Sequence, residues 1–386
     1  MILRQLALVG IVSLLAPTSI VAAADDAAPA KEDAPKSNAP ETDDGETDAP
    51  RAQEDAADDE GISFKHFTAF SSSQTCLGDS HALPFNNQVR GVNLGGWMVL
   101  EPWITPSLFY QFLGKGVGEV GLDHYSFCEV LGPEEGNRQL QRHWKTWVTE
   151  EIVKELAESG AVNSLRLPVG DFMYQPYGPY GEFSSFEAIE LHRHFLRIDK
   201  SRSTHSIKSN ATTTISVGCT DGALEHVDNL LDWAHAYGLT VLLDVHTQKD
   251  SQNGFDNSGQ GLGFQWTSGL SKYPRGLTTF QHWPIRSANW MGEFDPETLG
   301  YASINHDNIA HSLRVVERIV DRYHEHPALL GVQPVNEPWE LTPLKLLKKF
   351  YWDAYLIVKR KAPYWKFVMH DSFRFDVETW GGFMKG

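Results

Sequence analysis

The sequence predicts an α/β protein, a (β/α)8 TIM barrel of which the chain carries about five of the eight strand–helix units. Three observations predict it. Short apolar strands alternate with amphipathic helices over five rounds, the pattern of a parallel sheet with helices outside. Polar residues recur at the carboxyl ends of those strands, where barrel enzymes place their chemistry. No G-x-G-x-x-G follows the first strand, which disfavours a dinucleotide-binding sheet. An arc of five strands exposes an unpaired edge, so the sequence reads as an incomplete barrel: a truncated product, a fragment or a degenerate copy.

In chain order, residues 1–24 read as a secretory signal, with Arg4 at its positive start, an apolar stretch, and Ala22, Ala23 and Ala24 as a small-residue cleavage site. The apolar run is short for a bilayer span, so a membrane partner is expected only if the segment stays uncleaved. Residues 25–60 hold fourteen Asp and Glu against three Lys and Arg, most of the chain's net charge of −17. That stretch has almost no large apolar residue and reads as a disordered acidic linker. So acidic a chain disfavours nucleic acid as a partner. Residues 61–386 are then the folded domain, and 41% hydrophobic residues supply its core. Twelve Trp suit that core and also a carbohydrate groove, where flat sugar faces stack on rings.

Within the domain, residues 88–94 read as the first strand and 99–111 as an aromatic, Pro-containing loop. Residues 141–160 have helical spacing and stop at Gly160. Residues 163–169 form the second strand, followed by a loop at 172–186 and an inserted polar loop at 198–217. A helix at 224–237 leads to the third strand at 239–245. A long Gly/Asn-rich loop then precedes a helix at 307–324, the strand opening at Leu330, a helix at 344–361 and a fifth strand at 365–369. Cys76, Cys128 and Cys219 have no metal-ligand spacing, so two of them can pair with one left over. No His/Asp/Glu cluster has metal-ligand spacing either, and neither metal nor cofactor is expected. Asn210 begins an Asn-Ala-Thr sequon and is the candidate glycosylation site.

The strand at 330–338, LGVQPVNEP, ends on Asn336, Glu337 and Pro338, and Pro338 offers no amide hydrogen to continue a ladder. The other strand ends carry Asn93, Arg166, Asp244, His246, His370 and Asp371. Glycoside hydrolysis needs two carboxyl groups across the scissile bond, one of them protonated. Glu337 suits the proton donor, and Asn336 a hydrogen bond to the hydroxyl beside the reacting carbon. Arg166 would hold a catalytic carboxylate charged and oriented. His246 converges with it on one face; a lone His is otherwise most often a satisfied core residue. No equally convincing second carboxylate stands out.

RGVNLGGWMVLEPWITPS from Arg90, LRLPVG from Leu165, LDVHTQKDSQNGFDNSG from Leu243, NEP from Asn336 and MHDSF from Met369 occur in order. Together they resemble the secreted exo-β-1,3-glucanases of glycoside hydrolase family 5. The resemblance implies a retaining enzyme, secreted to the extracellular space or cell wall, that releases glucose from β-1,3-glucan ends. It implies Glu337 as acid/base and Asn336 as its sugar-binding neighbour. Arg166 and His246 would shape the glucose site, Glu101 would bind the terminal hydroxyls, and Asn257 and Phe255 would line the groove. The nucleophilic Glu of such enzymes belongs to a seventh strand, which places it beyond this chain's carboxyl terminus. The alternatives are a glucan-binding protein without catalysis and a non-functional fragment.

Overall fold

The computed structural model describes residues 88–181, 218–262, 264–266, 280–282, 288–295, 297–298 and 300–384. The expected signal segment, acidic linker, Cys76, the Asn210 sequon and the 198–217 loop lie outside those residues. Among the described residues, nine strands and five longer helices follow in order: β1 (Gly91–Asn93), α1 (His124–Trp147), α2 (Glu150–Glu158), β2 (Ser164–Val169), α3 (Ala223–Ala236), β3 (Thr240–Val245), β4 (Phe264–Trp266), β5 (Phe280–His282), β6 (Gly292–Asp295), β7 (Gly300–Ile304), α4 (His306–Tyr323), β8 (Leu329–Gln333), α5 (Leu344–Lys361) and β9 (Lys366–Phe367). Five strands form one sheet in the order β1-β2-β3-β8-β9, and every neighbouring pair is parallel. Among the described residues, β1 and β9 are paired on one side only.

Strand side chains alternate between faces, and the register shows what each face carries. Asn93 stands opposite Arg166, and Asp244 opposite Gln333, so one face is polar towards its carboxyl end. The other carries Leu165, Leu167, Val169, Val241, Leu243, Val245 and Val332, all essentially buried. Helices supply the rest of that core at helical spacing: Val227, Leu230, Leu231 and Ala234 from α3, Val316, Ile319, Val320 and Tyr323 from α4, and Ala354 and Val358 from α5. Gly331 sits in β8 because its neighbour leaves no room. A methyl group there would stand 2.0 Å from the Lys366 carbonyl oxygen of β9.

Three expectations need correction. The single helix over 141–160 is two helices. Val148 is extended and Thr149 caps α2, its hydroxyl accepting from Ile152 N at 3.5 Å, so an N-cap overrides the continuous apolar spacing. α1 also starts much earlier, at His124, and is interrupted by Gly132 at φ 73° before Pro133. The long Gly/Asn-rich loop contains two antiparallel hairpins, β4–β5 and β6–β7, whose strands are three to five residues long. The stretches read as loops at 99–111 and 172–186 hold one-turn helices, Pro106–Phe109 and Asp171–Tyr174. A disulfide joins Cys128 of α1 to Cys219, just before α3. No helix of the described residues is long and apolar enough to cross a membrane.

Candidate active site

The polar face of the sheet gathers its side chains around Arg166 of β2. Its Nη1 donates to Asn93 Oδ1 at 2.9 Å. Its Nη2 reaches Asn336 Oδ1 at 2.9 Å, Gln333 Oε1 at 3.3 Å and Asp244 Oδ2 at 2.9 Å. One guanidinium therefore ties four strands together at their carboxyl ends, which suits a rigid fork of donors better than a flexible ammonium. Asp244 is wholly buried and its Oδ2 also meets His246 Nδ1 at 2.5 Å. A carboxylate buried so deeply is held by being paired twice.

These bonds fix what the neighbouring groups present. Asn336 Oδ1 accepts from Arg166, so its amide nitrogen is the free end, buried and without a partner. His246 Nδ1 faces the acceptor Asp244 Oδ2 and so carries a hydrogen, while its Nε2 is buried, again without a partner. Glu337 follows Asn336 with φ at 45°, in the left-handed region that side chains seldom adopt. Its Oε2 accepts from Asn257 Nδ2 at 3.1 Å. Asn257 is aimed in turn by Asn253, whose Nδ2 donates to Asn257 Oδ1 at 3.1 Å. Backbone strain at a carboxylate beside unpaired buried polar groups is a recurrent mark of binding and catalytic sites.

Glu101 is nearly buried and its Oε1 accepts from Gly96 N at 3.2 Å. A Cβ added at Gly95 would stand 3.0 Å from Asn93 Nδ2 and 3.4 Å from Glu101 Oε1, which places Glu101 beside the Arg166 network. Asp256 is close to it. Burial pushes the Asp256 carboxyl up to about 6, with the charges of Asp123 and Glu101 adding to the rise. Burial likewise holds Asp123 at about 6, against the opposing hydrogen bonds from Ser126 and Gly261. Burial lowers His370, an effect the charges of Asp371, Glu337 and Asp244 partly offset.

The structure thus brings Glu101, Arg166, His246, Asn257, Asn336 and Glu337 to one end of the sheet, with Asn93, Asp244 and His370. Phe255 lies half-buried on the same loop as Asn257. Asp371 instead caps a turn, accepting from Phe373 N at 2.9 Å. Sequence reasoning did not single out Asp123, Asp256 or Gln252. Asp123 carries a legible signal, a helix-capping Asp three residues before Ser126, whose amide it accepts at 2.8 Å. Among the described residues no group of three His, Cys, Asp or Glu side chains is placed to hold a metal ion.

No family profile matches the chain. It is 33% identical over 307 residues to the glucan 1,3-beta-glucosidase of Blumeria graminis, covering 78% of this chain and 53% of that protein. It is 35% identical over 299 residues to the glucan 1,3-beta-glucosidase of Pichia angusta, covering 75% and 49%. A probable glucan 1,3-beta-glucosidase A of Emericella nidulans is 30% identical over 302 residues, covering 78% and 55%. The chain thus spans about half the length of the curated relatives it matches. Among solved structures, the rutinosidase from Aspergillus niger superposes with a TM-score of 0.50 at 15% identity, covering 76% of this chain and 65% of that one, a likeness of fold. Across about three quarters of its length, this chain is a homologue of the glucan 1,3-beta-glucosidases.

Proposed function

We propose that this chain forms the acid/base side of a retaining glycoside hydrolase that releases glucose from the ends of β-1,3-glucan, as in glycoside hydrolase family 5. One observation carries the reading: Glu337 has one carboxylate oxygen held by Asn257 and lies next to the unpartnered amide nitrogen of Asn336. Glu337 protonates the leaving oxygen and later takes a proton from water. Asn336 Nδ2 donates to the hydroxyl beside the reacting carbon, and His246 Nε2 accepts from a neighbouring hydroxyl. Glu101 and Arg166 shape the terminal-glucose site, and Phe255 offers a ring for the sugar face beyond it. This two-carboxyl chemistry needs no cofactor.

On this reading the five-stranded sheet is the first part of a (β/α)8 barrel, and the nucleophilic Glu is supplied by sequence after Gly386. The same reading includes export by residues 1–24, the acidic spacer at 25–60 and a glycan on Asn210. The Cys128–Cys219 disulfide supports an oxidising, extracellular setting. The test is glucose release from β-1,3-linked glucose oligomers by the product of the full transcript, with the anomer followed by proton NMR. Retention is expected, with kcat/KM falling about 10³-fold in Glu337→Gln. Undiminished hydrolysis by that variant would remove Glu337 from the mechanism. Glucan binding without hydrolysis would leave a binding protein.

A further inference from the structure

The left-handed backbone at Glu337 must be enforced from outside, because an L side chain there is strained. The residue that contacts both flanks of that position is Gln252, whose side chain is wholly buried. Its Nε2 donates to the carbonyl oxygen of Asn336 at 2.9 Å and to that of His246 at 2.9 Å. Its main-chain carbonyl oxygen accepts from Trp339 N at 2.9 Å. The peptide group just before Glu337 and the amide two residues after it are therefore held by one residue, which also grips the end of β3 through His246.

The chemistry of this clamp is specific. Two carbonyl oxygens face one atom, and an amide NH2 is the uncharged side-chain group with two hydrogens to offer them. The reversed amide would set oxygen against both carbonyls, so the orientation follows from the network. Gln252 Oε1, on the far side, has no partner. That cost is tolerated in a buried position where a Met of similar size would leave no unsatisfied atom on the residue itself.

We infer that Gln252 is the positioning residue of the site: it locks the peptide planes that aim Glu337, Asn336 and His246, and touches no sugar itself. The inference rests on the proposed role of Glu337, and it adds a second strand end, His246, to the unit being aligned.

Two full-length variants test it. Gln252→Glu keeps the length but, when ionised, offers oxygens where hydrogens are needed. When protonated it regains one donor. Burial among carbonyls raises such a carboxyl above its ordinary value of about 4.3, so it gains a proton between pH 8 and pH 5. Gln252→Met removes both hydrogens without adding a charge. The readout is amide hydrogen exchange over residues 334–340, corrected for intrinsic rates, in parallel with affinity for a β-1,3-linked glucose trimer. At pH 8, exchange in Gln252→Glu is expected to be about tenfold faster than in the wild type, with trimer affinity reduced in step; at pH 5 most of that excess disappears. Gln252→Met is expected to show an intermediate excess that is the same at both pH values. Wild-type exchange in Gln252→Met overturns the inference, as does a Gln252→Glu defect indifferent to pH. If Gln252→Glu fails to fold at both pH values, Gln252→Met alone decides, through faster exchange at 334–340 and lost trimer affinity against wild-type values for both. A wild-type chain that ignores the trimer would instead sink the proposed function, while the exchange data still decide whether Gln252 holds the Glu337 backbone.

Discussion

At the scale of the residue, two adjacent side chains at the start of α1 pull stability in opposite directions with pH. Burial lowers His124 to about 3, with His143 adding to the effect, while burial raises Asp123 to about 6. His124 accepts from Leu100 N at 3.2 Å and stays neutral when folded, so the unfolded chain binds its proton first. Its contribution to stability is complete above about pH 6.5 and shrinks as the pH falls towards 3. Asp123 does the reverse, since the folded chain protonates it first; its contribution falls as the pH rises from about 4 to 6. In His124→Asn, an amide oxygen can replace the ring acceptor without titrating. Urea unfolding is expected to show the stability of this variant relative to wild type rising by about 1.4 kcal/mol for each pH unit between 6.5 and 4. A difference that stays constant over that range would refute the assignment. Part of this scale was legible beforehand: His246, Asn336 and Glu337 follow the ends of β3 and β8, and a strand end can be read from an apolar run meeting polar residues. Arg166, expected at a strand end, is instead the third of the six residues of β2 and reaches the others through its long side chain. Gln252 was not legible, because its importance lies in which backbone groups it satisfies after folding, and local sequence does not reveal those partners. Asp123 shows its cap locally, but its bond to Gly261 N, 138 positions away, does not show there.

At the scale of the element, β8 and β9 depend on the missing side chain of Gly331. The Cβ of an alanine there would meet the Lys366 carbonyl oxygen at 2.0 Å, a backbone atom that cannot swing aside. Gly331→Ala is expected to destabilise the protein by about 3 kcal/mol, in the range of other overpacking substitutions. The loss should appear in chemical denaturation together with faster amide exchange along β9; a change below about 0.5 kcal/mol would mean that the strand pair adjusts freely. The five sheet strands and the helices α3, α4 and α5 fall within a few residues of their expected positions. β2, β3, β8 and the three helices do so because each buries an apolar face, while β1 and β9 are only half-buried and are shorter than expected. The misses have different origins. The break between α1 and α2 is a capping decision at Thr149 inside an unbroken helical pattern. The hairpins β4–β5 and β6–β7 have strands of three to five residues, too short for a period of two to stand out from the surrounding loop.

At the scale of the whole molecule, most buried hydrophobic residues around the sheet belong to one cluster that runs from Trp97 and Trp144 to Trp365, with Trp290, Trp339, Leu346, Leu347, Phe350 and Tyr351 buried beside it. That cluster reaches from Leu94 after β1 to Val332 of β8 and Phe367 of β9, so the sheet and its helices are expected to unfold together. Far-ultraviolet circular dichroism and tryptophan fluorescence should then report the same midpoint in denaturant. Two separated midpoints would show that the β8–β9 side opens independently. The all-parallel order has one more consequence, for time rather than for equilibrium. A parallel neighbour cannot arrive through a tight turn, and Asn93 meets Arg166 only across 73 positions of chain. Each strand pair must therefore close a long loop before it gains anything from pairing, which puts this sheet among slowly forming topologies. During biosynthesis the early strands wait, exposed, for partners still to be made. The residues that converge on Arg166 can come into register only after Asn336 has been delivered, 170 positions later, so the site exists only once β8 has joined the sheet.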